Sequence, residues 1–497
     1  MRTVWLISSL LLSEILGASA SQAQNLTPCP GESQDTGSAS TKCTSAVMLE
    51  SGSFHAVPLI DGASQSYGDP DHNIISLYGV YGNSESASSN AAAQAHYQQG
   101  LTQAAKITPL CKDGNPPPQL DNIYYPNCTD DTLPVIIFLY IGFSNFTIEM
   151  GGGSQDAWGA YVHLPGQPCS TKCPNLNNAG DVPPWNQAHD GVKQESLLYQ
   201  IYRPTVPLVG PNVVVWNGAL ESQVLNRWDP SPAGYYENHA CPYVFPPRMD
   251  PECNYDRVER DLGSATGNGN TGGYTDAQVQ AIFLKSADEY PLCDLNHLYC
   301  TAGVTLPDAY QMEEYLGDIV RYLKCCEVGN LTPRYPSLQQ VFITSRIYGG
   351  YANGEKHGRA PRDYDCENPE PFAYEGGFAV QRIIVGQINQ AAGIQSSDPY
   401  SGEVDYTVAP WFDWGPYLWA SGEVPRAFDG LNWCNGQGDK LCGQDQFDVR
   451  EGDTNQPQYW GDFTHPTAMG TFKVANLLLQ FMNETTGSTW VTPWIGE

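Results

Sequence analysis

The sequence has few charged residues and very few basic ones. Only 16% of its 497 residues are charged, and 24 lysines and arginines stand against 54 aspartates and glutamates, so the formal net charge at pH 7 is −30. Such a charge repels phosphate backbones and anionic lipid surfaces. We therefore expect no nucleic-acid partner and no attachment to an anionic membrane surface.

Long hydrophobic runs are also missing. No stretch reaches about 18 apolar residues, the length that a transmembrane helix requires, so we expect no membrane span. The shorter run at residues 4–12 follows Arg2, and residues 18–20 have the small-x-small pattern of a signal-peptide cleavage site, with Ala23 as the other candidate. We predict a signal peptide over residues 1–23 and a secreted or periplasmic protein.

The common metal and cofactor motifs are absent. The sequence has no Cys-x-x-Cys pair and no His-Glu-x-x-His site. A Gly-x-Gly-x-x-Gly pattern at 267–272 follows no strand, so it is a weak match to a dinucleotide site. We predict no metal ion and no organic cofactor.

The 15 cysteines are typical of a disulfide framework in an oxidising compartment. Connectivity cannot be read from a sequence, and proximity alone suggests the pairs. Cys325, Cys326 and Cys366 leave one further bridge and one odd thiol. The pairs suggested by proximity are Cys29 with Cys43, Cys111 with Cys128, Cys169 with Cys173, Cys241 with Cys253, Cys293 with Cys300, and Cys434 with Cys442.

Short apolar runs without polar alternation indicate strands that are buried on both faces of a parallel sheet. Helical spacing of apolar residues between these runs predicts helices, and alternating strands and helices predict an α/β fold with a covered parallel sheet. In the last helix, Phe472, Ala475, Leu478 and Leu479 are expected to share a buried face. The predicted strands are 134–140, 212–216, 280–284, 340–344 and a weaker 406–409, and the predicted helices are 91–105, 311–323, 377–392 and 464–482.

We interpret the chain as one decorated domain. Residues 24–57 are polar and form a predicted N-terminal extension, and the domain itself covers 58–497. Three stretches rich in Pro, Gly, Asn and aromatic residues are expected to be loop-like insertions near 155–210, 225–275 and 395–460.

Small and polar residues follow the first four predicted strands, at the carboxyl ends where parallel sheets bind ligands. Nearer the C-terminus, Asp462 stands three residues before His465. A carboxylate so placed can orient the imidazole as a base, and a serine hydroxyl becomes a nucleophile only when such a base takes its proton. We predict Ser144 as nucleophile, His465 as base and Asp462 as its orienter, although a lone serine after a strand is usually a turn residue or a helix cap.

These blocks resemble those of the SGNH/GDSL-like hydrolases, which are secreted esterases and lipase-like enzymes. The matching segments are Gly142-x-Ser144-Asn145 for the nucleophile block, Asn217-Gly218 for the second block and Asp462-x-x-His465 before the last helix. Segments 345–351, 374–380 and 414–420 resemble a bacterial secreted subgroup of unclear substrate. The resemblance covers residue 58 to the C-terminus and implies a three-layer, flavodoxin-like parallel sheet of about five strands, with disulfide-stapled loop insertions.

The resemblance also implies an oxyanion hole and a set of substrate contacts. The oxyanion-hole residues would be Ser144, Gly218, Ser222 and Asp288, and the substrate-binding residues would be Asn145, Asn217, Arg346 and Tyr348. The alternatives to substrate binding are that Arg346 forms a structural ion pair with Glu375 or another acid, and that Tyr348 packs in the core or in a loop.

The sequence departs from the family pattern at three positions. Phe143 replaces the usual Asp, Glu221-Ser222 replaces a glycine, and Asp288 replaces an Asn whose amide donates to the oxyanion. An ionised carboxylate cannot donate, and one such donor is worth about 2.7–4 kcal/mol of barrier. Either Asp288 is protonated through burial and repulsion from Glu221, so that activity rises at acidic pH, or the site is weak or inactive.

The sequence thus predicts a secreted serine hydrolase that acts on a small or carbohydrate ester through an acyl-enzyme. The preference for a carbohydrate ester rests on the aromatic residues in the loops and on the substrates that the resemblance implies. The alternative is a non-catalytic, secreted glycan-binding protein on the same scaffold, with aromatic side chains as a platform for sugar rings. The aromatic side chains considered are Tyr348, Tyr351, Trp411, Trp414 and Trp419.

Overall fold

The structure is a computed structural model. The residues that it describes are 56–61, 91–118, 128–130, 132–151, 196–201, 212–219, 223–230, 253–264, 273–285, 287–288, 291–297, 300, 302–324, 334–350, 368–434, 465–466 and 468–483. The predicted signal peptide lies outside these residues.

A five-stranded parallel sheet forms the centre of the molecule. Every residue of its strands is buried, which is why the strands are continuous apolar runs rather than alternating ones. The strand order is β2-β1-β3-β4-β5, the flavodoxin-like arrangement. This confirms the prediction of an α/β fold with a parallel sheet of about five strands. The strands are β1 (Ile136–Ile141), β2 (Val213–Asn217), β3 (Val279–Lys285), β4 (Gln340–Thr344) and β5 (Trp411–Trp414).

The prediction of the fifth strand at 406–409 is wrong. These residues form a turn, in which Asp405 Oδ1 accepts hydrogen bonds from the Thr407 amide and hydroxyl at 2.7 and 2.6 Å. The Asp405 carbonyl accepts the Ala409 amide at 2.9 Å. The strand begins only after Pro410, and its buried Asp413 interrupts the apolar pattern that marks the other strands.

Helices cover both faces of the sheet. From β1 to β2 the chain moves across the sheet in one direction, and from β2 to β5 it moves in the other. Right-handed crossovers therefore place the helices of these two sets of connections on opposite faces. On one face, the C-terminal helix packs against the helices that follow β1. The helices are α1 (Ala91–Ala104), α2 (Ser144–Gly151), α3 (Leu197–Ile201), α4 (Cys253–Ser264), α5 (Asp308–Lys324), α6 (Phe372–Ala391) and α7 (Ala468–Asn483). None of the helices in the described ranges is long and apolar enough to cross a membrane.

All four predicted helices are present, as α1, α5, α6 and α7. In α7 the predicted face is partly wrong, because Phe472 is 39% exposed. The buried stripe runs through Thr471, Ala475, Leu478 and Met482, at spacings of four, three and four residues, and Phe472 falls beside it.

Three elements occupy stretches expected to be loop-like. They are α3 within 155–210, α4 within 225–275 and β5 within 395–460. In α4, Tyr255, Val258 and Leu262 are fully buried at helical spacing. That periodicity was available in the sequence, but Gly and Asn-rich neighbours obscured it.

Two of the predicted disulfides lie in the described ranges, and both are confirmed. Cys111 is bonded to Cys128, and Cys293 to Cys300. Cys434 is also disulfide-bonded. The other predicted pairs involve residues that the structure does not describe.

Candidate active site

The central strand β1 leads directly into the predicted nucleophile. Gly142 and Phe143 are the two residues that connect β1 to α2, and this connection is called the nucleophile turn. Ser144 begins α2, whose first hydrogen bond joins the Thr147 amide to the Phe143 carbonyl at 3.0 Å. A Cβ atom at Gly142 would lie 3.1 Å from Phe146 Cδ1 and 3.2 Å from the Lys285 carbonyl oxygen, and φ is +153°. Glycine is therefore required there. Ser144 is half-buried, at a helix N-terminus whose first amides favour negative charge.

Three segments meet beside this turn. Phe143, Val224 and Ala287 form one small buried cluster, and the Leu225 amide donates to the Ala287 carbonyl at 3.1 Å. The exits of β1 and β3 and the segment after β2 thus converge at one edge of the sheet, where the strand order reverses. Open parallel sheets bind ligands at such a switch point, so this edge is the candidate active site.

His465 is buried and stands just before α7, which packs against α2. Burial raises the pKa of Glu149, a residue of α2, and the charge of His465 is one of those that oppose the rise. The structure therefore brings the His465 segment beside the helix that Ser144 begins. None of the hydrogen bonds within the described part of the chain joins Ser144 to His465, and Asp462 lies outside it.

Asp288 is half-buried, and its carboxyl group shares a hydrogen bond with that of Asp308. Burial, followed by the charge of Asp288, raises the pKa of Asp308 to about 8. The Asp308 carboxyl also accepts the amides of Leu292, at 2.8 Å, and of Cys293. The like-charged partner of Asp288 is thus Asp308, whereas Glu221, which the sequence suggested, lies outside the described residues.

The Gly218 amide, which belongs to the predicted oxyanion-hole segment, is paired within the sheet. This amide donates to the Tyr140 carbonyl at 2.7 Å and extends the pairing of β2 with β1. The next amide, of Ala219, donates to Asn217 Oδ1 at 3.1 Å. Each amide has one proton to donate, so neither can serve an oxyanion here. Ser222 lies outside the described residues.

The predicted substrate contacts Asn145, Asn217, Arg346 and Tyr348 are all buried. Asn217 closes the turn after β2, as described above. Arg346 Nη1 donates to the Asn368 carbonyl at 3.0 Å, and the ring of Tyr348 packs on that of Trp419 at 5.9 Å between centroids. These contacts hold the segments that follow the strands at this edge of the sheet.

The charge of Arg346 acts on two buried acids, Glu149 and Glu370. Burial raises the pKa of Glu370 to about 7, against the opposing charge of Arg346 and the hydrogen bonds that Glu370 accepts. Its donors are the amides of Gly349 and Tyr374 and the Trp419 indole, at 2.7–2.9 Å.

A buried ion pair beneath the turn was not predicted. Lys285 Nζ lies 2.6 and 2.5 Å from the two carboxylate oxygens of Glu149, and neither side chain is exposed. A lysine at the end of an apolar strand and a glutamate in a short apolar helix were the available signals. Their pairing depends on tertiary structure.

In the described residues, one group of three side chains has the spacing of metal ligands, namely Cys293, His297 and Cys300. The two sulfur atoms of that group are joined in the disulfide. Comparison with protein-family models, with curated proteins and with solved structures finds no match for this chain.

Proposed function

We propose that this chain is a serine ester hydrolase of the SGNH type. The observation that carries the proposal is the position of Ser144, which begins a helix at the switch point of the sheet, with the His465 segment packed beside that helix.

The mechanism assigns one step to each residue. His465 takes the proton of the Ser144 hydroxyl, the oxygen attacks the ester carbonyl, and Asp462 orients the imidazole. The tetrahedral oxyanion accepts a hydrogen bond from the Ser144 amide. It accepts a second one from Asp288 when the proton of the Asp288–Asp308 pair sits on Asp288 and turns from Asp308 to the oxyanion, which leaves Asp308 ionised with the Leu292 and Cys293 amides as its donors. His465 then protonates the leaving alcohol, and water releases the acid from the acyl-enzyme.

The substrate class follows from charge. A net charge of −30 repels anionic esters, so we propose an uncharged substrate such as a small or carbohydrate ester. The alternative of a non-catalytic sugar binder finds less support, because the aromatic side chains considered as its platform that lie in the described ranges are buried. These are Tyr348, Trp411, Trp414 and Trp419.

Covalent labelling with a fluorophosphonate tests the proposal. We expect labelling of the unaltered chain and its loss in Ser144→Ala and His465→Ala, because the adduct needs both nucleophile and base. Matched controls are Ser397→Ala, at an exposed serine, and His297→Asn, at an exposed histidine with φ of +53° that asparagine tolerates. Labelling that persists in Ser144→Ala would contradict the proposal.

A further inference from the structure

Lys285 is the last residue of β3, and it contacts the nucleophile turn on several sides. Its backbone fills the space beside Gly142, where a Cβ atom would lie 3.2 Å from both the Lys285 Cβ and its carbonyl oxygen. Its Nζ lies 5.8 Å from the ring centroid of Phe143 and 5.7 Å from that of Phe146. Lys285 thus lies beside aromatic residues on both sides of Ser144 in the sequence.

The ion pair with Glu149 adds a second connection. Glu149 lies five residues after Ser144 on the same helix, while Lys285 belongs to the sheet. Two charge-assisted hydrogen bonds at 2.6 and 2.5 Å therefore fix the rotation of α2 against β3.

Stability alone does not account for this pair. Burial disfavours both charges, since it raises the pKa of Glu149 and lowers that of Lys285. Apolar residues of similar volume often stabilise a protein as well as, or better than, a buried ion pair. Arg346 and His465 also act on Glu149, so the pair lies within the charged surroundings of the proposed site.

We infer that Lys285 and Glu149 are positioning residues, which hold α2 on the sheet so that the Ser144 hydroxyl meets its base. The inference rests on the proposed function. A displacement of about 1 Å at a reacting group can slow a reaction about 10²-fold, so a small rotation of α2 is enough to be measured.

The double variant Lys285→Met/Glu149→Leu tests the inference, because it removes both charges and leaves neither one buried alone. We expect a cooperatively folded protein whose rate constant of fluorophosphonate labelling falls about 10²-fold. With p-nitrophenyl acetate, kcat falls similarly while KM stays within about twofold, since alignment rather than binding is changed. The single variant Lys285→Met is expected to unfold more easily.

The matched control is Arg382→Met/Glu313→Leu. It removes another largely buried ion pair, 2.5 Å apart, which joins α5 to α6 and includes no residue of the nucleophile turn. We expect it to leave the labelling rate unchanged. If the first double variant does not fold, Lys285→Arg is the second test, because it keeps the positive charge but changes the geometry of the ion pair with Glu149. We then expect a folded protein that is labelled at least about tenfold more slowly.

Three results separate the possibilities. Unchanged labelling and kcat in the folded Lys285→Met/Glu149→Leu variant would overturn the inference and leave the proposed function intact. An equal loss in the Arg382→Met/Glu313→Leu control would also overturn it, as a general effect of removing a buried pair. An unaltered chain that is neither labelled nor active on the ester would overturn the proposed function and the inference together.

Discussion

At the scale of single residues, two carboxyl groups set the pH at which the proposed oxyanion hole is complete. The hydrogen bond between Asp288 and Asp308 requires a proton, and because the pKa of Asp308 is about 8, the two carboxyl groups together retain that proton at neutral pH, where Asp288 can turn it toward the oxyanion. Activity on a short-chain ester is therefore expected to fall as the pH rises through about 8. Asp288→Asn supplies an amide donor at every pH, and should keep its activity at pH 9.

The difference between the two proteins is expected to be about tenfold at pH 9, because about one molecule in ten still carries the proton one unit above a pKa of about 8. It should approach about 10²-fold, the effect of one oxyanion donor, at higher pH. The measurement is a pH–rate profile for the unaltered chain and for Asp288→Asn. An asparagine variant that loses activity above pH 8 as steeply as the unaltered chain would refute the role of the shared proton.

At the scale of elements, the Cys293–Cys300 disulfide holds the loop whose amides bind Asp308 and Glu375. It closes a loop with a sequence separation of 7, so loop-closure entropy predicts that Cys293→Ser/Cys300→Ser lowers the free energy of unfolding by about 2.5 kcal/mol. The loss of activity in alkali should also move to higher pH, because the amides of Leu292 and Cys293, which lower the pKa of Asp308, would no longer be held in place. Urea unfolding and the pH–rate profile are the measurements.

The matched variant Cys111→Ser/Cys128→Ser opens a loop with a sequence separation of 17, for a predicted loss of about 3 kcal/mol. Its pH–rate profile should not change, because this bridge does not hold Asp308. An equal shift of the profile in both variants would count against the assignment.

The elements also explain how far the sequence could predict the structure. Runs such as that of β1 are buried on both faces, and the sequence predicts four of the strands well for that reason. The fifth failed because Asp413 breaks its pattern while a turn at 406–409 imitates a strand. The segments of Ser144 and His465 are close together because of the topology of the sheet. The order of the two motifs along the sequence already indicated that topology.

Other features of the candidate site could not be predicted. The direction of the Gly218 amide depends on strand pairing, and the contact between Lys285 and Glu149 joins residues 136 positions apart. Asp308 pairs with Asp288 only because the start of α5 folds back onto the exit of β3. Each is a consequence of tertiary packing that no local pattern encodes.

At the scale of the whole molecule, buried carboxyl groups predict greater stability in acid. Burial raises the pKa of Asp308 and Glu313 to about 8 and that of Glu370 to about 7. Above the unfolded values near 4, the folded state then binds more protons than the unfolded state, so stability falls as the pH rises from about 4 to about 8. Self-repulsion of the net charge of −30 acts in the same direction.

One buried histidine acts in the opposite direction. Burial lowers the pKa of His96 to about 3, so its contribution is lost as the pH falls below about 6.5. Three carboxyl groups outweigh one imidazole, and the urea midpoint is expected to be higher at pH 5 than at pH 8.5. Glu370→Gln should reduce that difference. A midpoint that is higher at pH 8.5 would contradict the prediction.

The most direct measurement for the whole account is the position of the fluorophosphonate adduct, determined by mass spectrometry of peptides from the labelled full-length chain. The account predicts a single modified residue, Ser144, and no adduct on any peptide of the His465→Ala variant. An adduct on a different serine, or one that forms on Ser144 equally well without His465, would contradict it.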